Sequence, residues 1–253
     1  MTSASALALS VTMAAAAGLV GCFAVMRRMT LASDAISHVA LPGIGVAIAF
    51  RIHPLVGGLA ALLVGTVLIW TLEGRTRIAT ETVIGVVFST ALAVGTLLAS
   101  GEDLIDALLG RPRQLGGWEV ALGIAAALAV IGFVLSQRHR LVVALVSADM
   151  ARTSGIDVRR LDLLFLVAFA VTVALGLRYL GVLLMGSLII IPAAAAKQLA
   201  RGLTAMLALA VTIAVGATVA GELVAIPLQR PTGPFIIIAA AAVFFASLGV
   251  RRG

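Results

Sequence analysis

Polar chemistry is scarce in this 253-residue chain. Only 11% of its residues are charged and 62% are apolar, whereas soluble domains run near a quarter charged and half apolar. No soluble fold of this length hides so much apolar surface, so the solvent for most of the chain is lipid. Cysteine occurs once, at Cys22 in the first apolar run, which excludes an intrachain disulfide and reads as a small buried hydrophobe. Lysine also occurs once. The setting of Lys197, "AAAAKQLA", is unlike a phosphate-binding loop, so the chain is not an ATPase. Neither His-Glu-x-x-His nor Gly-x-Ser-x-Gly occurs, which removes the membrane metalloprotease and serine hydrolase readings and leaves no case for an enzyme. The net charge of +7 comes from basic residues scattered between apolar runs rather than gathered on one face, which excludes a nucleic-acid partner. Met1–Ser5 carries no basic side chain, and the run that follows is too long for a cleavable signal core.

What is present is a succession of nine apolar stretches, roughly 4–26, 35–50, 55–72, 79–99, 119–136, 161–177, 179–196, 203–223 and 234–250. A spanning helix needs about 17–25 residues. The first, fourth and eighth stretches meet this comfortably. The second is short and is separated from the third only by Arg51-Ile52-His53-Pro54. The expectation is a single all-α polytopic membrane domain over residues 1–253, with eight or nine transmembrane helices. If all nine cross and the N-terminus lies outside, thirteen arginine and lysine residues fall on the inner face and five on the outer. That asymmetry follows the positive-inside rule.

Two connections are long enough to matter. Ser100–Trp118 is polar, holds Glu102, Asp103, Asp106, Arg111 and Arg113, and is broken by Pro112 and the Gly116-Gly117 pair; it should lie outside. Gln137–Arg160 is the long inner segment. Within it "SADMARTSG" reads as a short amphipathic helix, with Ser147 as its N-cap and Gly155 as its stop. The 26 glycines and the alanine runs suit close helix packing in lipid and carry no functional weight.

Charges inside apolar stretches are the sharper signal, because a mid-bilayer carboxylate costs roughly 2.5–3.5 kcal/mol on insertion scales. Asp34, Glu81 and Glu222 qualify. Asp34 is followed by His38 in "LASDAISHVALPG", and residues four apart share a helix face. A carboxylate with an imidazole suits zinc, manganese or ferrous iron. Pro42 offers no N–H to the carbonyl of His38, which marks a helix interruption at Pro42 and Gly43 and leaves a free oxygen beside the pair. One Asp-His pair supplies only two ligands, and two copies of the subunit about a two-fold axis would supply four. The alternative is that Asp34 and His38 simply pair with each other near the interface. Glu81, in "RIATETVIG", stands as a pathway residue or as an acid favourably placed in a helix first turn. Glu222 near the end of the eighth stretch reads as reaching the interface, and His53 and His139 as solvated loop residues.

The block "RRMTLASDAISHVALPGIGVA" resembles a signature of the metal-ion permease family of ATP-binding-cassette importers, the zinc, manganese and iron group. In the same order, "TETVIGVVFS", "SADMARTSGIDVRRLD", "LGVLLMGSLIIIPAAAAKQLAR" and "PTGPFIIIAAAAVFFASL" resemble its later segments, so the likeness covers essentially the whole chain. The resemblance implies a type II importer-like permease in the bacterial plasma (inner) membrane. Its partners would be a second permease copy in a homo- or heterodimer, two cytoplasmic ATPase subunits and an extracytoplasmic metal-binding protein. It further implies that Asp34 and His38 contact the transported ion, with no permanently bound cofactor, and that Ala148, Asp149, Met150, Ala151, Arg152 and Gly155 belong to the segment that docks on the ATPase. Glu81 stands where that family usually has aspartate, and "LLGRPRQLGG" departs from its aromatic-rich outer loop. A reading from another class is a self-sufficient carrier in which Asp34, Glu81 or Glu222 relays protons; metal flux through the purified chain alone would favour it. A third is a non-transporting scaffold.

Overall fold

The computed structural model describes residues 3–29, 35–36, 38–76, 79–98, 116–179 and 182–249. Among them the secondary structure is entirely α-helical: α1 (Ser3–Met26), α2 (Ala40–Ala49), α3 (Pro54–Arg75), α4 (Thr80–Leu98), α5 (Gly117–Val146), α6 (Ala148–Thr153), α7 (Val158–Tyr179), α8 (Val182–Leu199), α9 (Leu203–Leu228) and α10 (Thr232–Gly249). Among the described residues each of the nine apolar stretches contains a helix. α3 opens on Pro54, where a fixed φ and a missing N–H cost nothing. Several helices close with a left-handed residue. At the end of α1, Arg28 has φ 60°, and the amide of Met29 reaches back to the carbonyl of Ala24 at 2.9 Å. Arg51 ends α2 the same way, with Ile52 donating to Ala47 at 2.8 Å.

The helices form two groups. In the larger, α1 runs through the centre and packs against α5, α7, α8 and α9, while α10 covers α8 and α9. Its best 18-residue window is 72% buried, against 22–33% in α3, α5, α9 and α10. Small residues make this possible. A side chain at Gly18 would strike the backbone of Ala210 on α9, and one at Gly21 the carbonyl of Ile189 on α8. In lipid, such close approach replaces the hydrophobic effect as the force between helices. The smaller group is α2, α3 and α4, tied to the larger chiefly where α3 meets α7. Within it α2 and α3 cross at Gly43 and Gly57, each facing the other's backbone carbonyl. Large apolar side chains face outward, Phe50, Leu97, Ile238 and Phe245 among them, as a lipid-facing surface requires.

One expectation is met in part and two change. Five helices are long and apolar enough to cross a membrane, while Ala40–Ala49, Glu81–Leu97 and Met185–Leu199 form shorter apolar segments among the described residues. The expected eight or nine crossings are thus met by length and composition in five. α2, with ten residues, is only about 15 Å long, half the hydrocarbon thickness. The inner segment expected from Gln137 begins instead as a continuation of α5 to Val146, so His139 sits on a helix. No glycine or proline interrupts "QRHRLVVALV", and Leu141 is fully buried there. α9 likewise continues to Leu228, with Pro227 inside it, so half-buried Glu222 lies well inside the helix rather than at its end. The outer loop with Glu102, Asp103, Asp106, Arg111 and Arg113 lies outside the described residues.

Candidate functional site

His38 is the described half of the sequence-predicted pair; Asp34 lies outside the described residues. The His38 ring is half-buried and packs 5.5 Å, centroid to centroid, from Phe88 on α4. Its depth follows from its neighbour. Val39 is buried against Gly65, where an added Cβ would sit 2.6 Å from Val39 Cγ1. Gly65 is midway along α3, so His38 stands near the centre of the helical layer. Among the described residues no three His, Cys, Asp or Glu side chains gather into a metal-binding group.

The helix interruption lies slightly earlier than expected. Val39 forms a turn ahead of α2, its amide donating to Ile36 at 3.0 Å, and α2 starts at Ala40 with Pro42 and Gly43 inside its first turn. The reason is the one that singled out proline. The bond Pro42 fails to make belongs to the carbonyl of His38, so the discontinuity falls at His38–Val39 while proline itself sits where the first turn tolerates it. Pro42 also packs against α4, where a Cβ at Gly95 would lie 3.3 Å from its nitrogen. Glu81 is exposed in the first turn of α4, favourable to the helix dipole. Seven residues separate it from Phe88, about 10 Å along the axis. It therefore lies towards one end of the layer, away from the His38 ring.

The inner segment folds as its end signals dictate. Ser147 caps α6 by accepting from the amide of Met150 at 3.2 Å. Gly155, at φ 76°, closes it while Ile156 donates to Ala151 at 3.0 Å. Asp149 and Arg152 pair at 3.2 Å on the exposed side, Met150 projects into solvent, and Ala151 is fully buried. Asp157 then caps α7 through the amide of Arg160 at 3.0 Å. Two capped helices are thus joined by a four-residue connection, Ser154 to Asp157.

The sequence reading missed what meets the opening turns of α7. Asp162 bonds Arg27 from the end of α1, Nη2 to Oδ1 at 2.7 Å, and the Arg27 guanidinium lies 4.6 Å from the Phe165 ring centroid. Arg159 stacks 4.5 Å over Trp70 of α3, whose indole N–H donates to the Arg159 carbonyl at 3.0 Å. A signal existed, since Asp162 is a carboxylate inside an apolar stretch. Thr66 was also missed. Its hydroxyl is buried without a hydrogen-bond partner beside Gly65, whereas Thr172 and Thr218 bond back to their own helices at 2.7 and 2.8 Å.

Comparison with known proteins covers the same ground from end to end. The chain matches the ABC 3 transport family over residues 2–251. The chain belongs to the ABC 3 transport family. Among curated relatives of this ABC 3 protein, the zinc transport system membrane protein TroC of Treponema pallidum is 31% identical over 255 residues, covering 93% of this chain and 85% of that one. The manganese import system permease protein ScaB of Streptococcus gordonii is 27% identical over 247 residues, covering 96% and 89%. The high-affinity zinc uptake system membrane protein ZnuB of Haemophilus influenzae is 26% identical over 238 residues, covering 92% and 91%. Of solved structures, PsaBC from Streptococcus pneumoniae in complex with Fab superposes with TM-score 0.83 at 26% identity, covering 97% of this chain and 90% of that one. The ABC 3 chain is therefore a multi-pass membrane protein built as an ABC-transporter permease, and the resemblance carried by its sequence blocks is that of its family.

Proposed function

We propose that this chain is the permease subunit of an importer in the bacterial plasma (inner) membrane. It carries a divalent transition metal ion, zinc, manganese or iron, into the cytoplasm on energy from separate ATPase subunits. The observation that carries the reading is family membership along the whole chain, joined to relatives named for manganese and zinc transport. The ion is cargo. Delivered by an extracytoplasmic binding protein to a cavity between two permeases, it exchanges part of its water shell for the Asp34 carboxylate and the His38 imidazole. The mid-layer depth of His38 and the helix break beside it support that role. A cation there meets a nitrogen donor on backbone that is free to shift, which keeps binding brief. Glu81, nearer one end of the layer, lies along the exit, and Ala148–Gly155 receives the ATPase, with exposed Met150 as its apolar contact.

Nine crossings fit the geometry better than eight. The ends of α1 and α3 both touch the opening turns of α7, through Arg27 and Trp70. α3 runs away from that face for its 22 residues, about 33 Å. In this reading the chain between Met29 and Pro54 crosses the layer to reach the start of α3. Antiparallel contacts of α2 with α3, Val39 beside Gly65 and Gly43 beside Gly57, support this path.

The test is accumulation of manganese, zinc and iron in cells lacking the gene and complemented with the wild type, Asp34→Ala or His38→Ala. Both variants should lose uptake while still co-purifying with the ATPase. Normal metal accumulation in either one rejects the assignment.

A further inference from the structure

The opening turns of α7 are gripped from two sides, by the ends of α1 and α3. Arg27, at the end of α1, bonds Asp162 at 2.7 Å with side-chain exposures of only 14% and 33%, and it lies against Phe165, which stacks edge-on to Phe23 at 6.4 Å. Trp70, near the end of α3, holds both the carbonyl and the guanidinium of Arg159. Between the two contacts opens a groove of about 370 Å³, lined by Trp70, Glu73, Arg152, Asp157, Arg159 and Asp162. Arg152 belongs to α6, so the groove sets the ATPase-facing helix against the same turns. The connection from α6 to α7 is capped at both sides, by Gly155 and by Asp157, and offers little slack to absorb a displacement. α1 and α3 in turn bracket residues 30–53, the segment that holds Asp34 and His38.

We propose that Arg27, Trp70, Arg159 and Asp162 are positioning residues, a relay through which movement of α6 reaches the Asp34/His38 segment. The inference rests on the import reading above for its direction, from ATPase to metal. A partly buried, charge-assisted bond is directional and strong away from water, and removing one partner strands the other charge. The Arg27–Asp162 contact is therefore the principal link. The Trp70–Arg159 stack is the second.

The experiment uses the complete transporter, permease with its ATPase and binding protein, in liposomes, with ATP hydrolysis and uptake of radioactive Mn²⁺ or Zn²⁺ recorded together. Arg27→Gln, Asp162→Asn and Trp70→Phe should each keep hydrolysis within about twofold while metal moved per ATP falls about fivefold or more, the scale of a typical coupling factor. The charge exchange R27D/D162R should recover at least half of the loss. Unchanged metal per ATP in the single variants overturns the relay. So does a parallel loss of assembly, hydrolysis and uptake that the exchange fails to rescue, since that marks a plain structural brace. A wild-type complex that hydrolyses ATP yet moves neither metal defeats the import reading instead. The relay is then read from maleimide labelling of Ala35→Cys in a Cys22→Ala background, with and without ATP and vanadate. A nucleotide-dependent change about fivefold smaller in Arg27→Gln supports the relay on the same scale. An equal change, or none in the parent, overturns it.

Discussion

Arg28 ends the central helix in a conformation that glycine adopts freely and that costs other residues about 1–2 kcal/mol. Arg28→Gly should therefore raise the thermal midpoint of the purified chain by relieving about 1 kcal/mol, read by unfolding in detergent. Gly155 is the converse, since it already holds φ 76°. Gly155→Ala should cost about 1 kcal/mol, visible as roughly fivefold faster amide exchange over residues 148–157 with the rest of the chain unchanged. The ends of α6 were legible in the sequence because capping is local; Ser147 and Gly155 need only neighbours a few residues away. Asp162 was legible as a carboxylate inside an apolar stretch, but not as half of a pair. Its meaning depends on Arg27, far along the chain, and nothing in the sequence pairs the two. His38 was singled out by its spacing from Asp34 and by Pro42, yet only the contacts of Val39 and Phe88 give its depth and its neighbour.

Helices, as units, were easy to find and hard to orient. Every apolar stretch holds a helix among the described residues, because in lipid no other open structure satisfies its backbone bonds. Their ends moved where the signal was polar residues rather than a break, as at Val146 and Leu228. Which helix lies at the centre could not be read, because α1 and α9 are both apolar all round and lipid leaves no amphipathic stripe to mark the buried face. Glycines mark it in the structure. Gly21→Leu should drive α1 from α8, and Gly57→Leu should drive α3 from α2, since in each case the obstacle is backbone that cannot repack. Each should cost about 3 kcal/mol or more, seen as loss of the monodisperse species on size-exclusion chromatography. Gly85, with open space around it, should accept alanine without loss.

At the scale of the whole molecule, the excess of arginine on one set of loops is expected to put the face that carries α6 on the inside. A cysteine placed at Met150 should react with an impermeant maleimide in inverted vesicles and not in intact cells. Labelling from outside would reverse the assigned orientation.

The central position of α1 has a consequence for biogenesis. The ribosome makes this helix well before α5, α7, α8 and α9, the neighbours that bury it. While the rest of the chain is being threaded into the bilayer, the surfaces around Gly18 and Gly21 wait among lipids with their proper partners unmade. Folding thus closes late around an element made early. A chain halted before α9 would present its most closely packed helix as its least protected one.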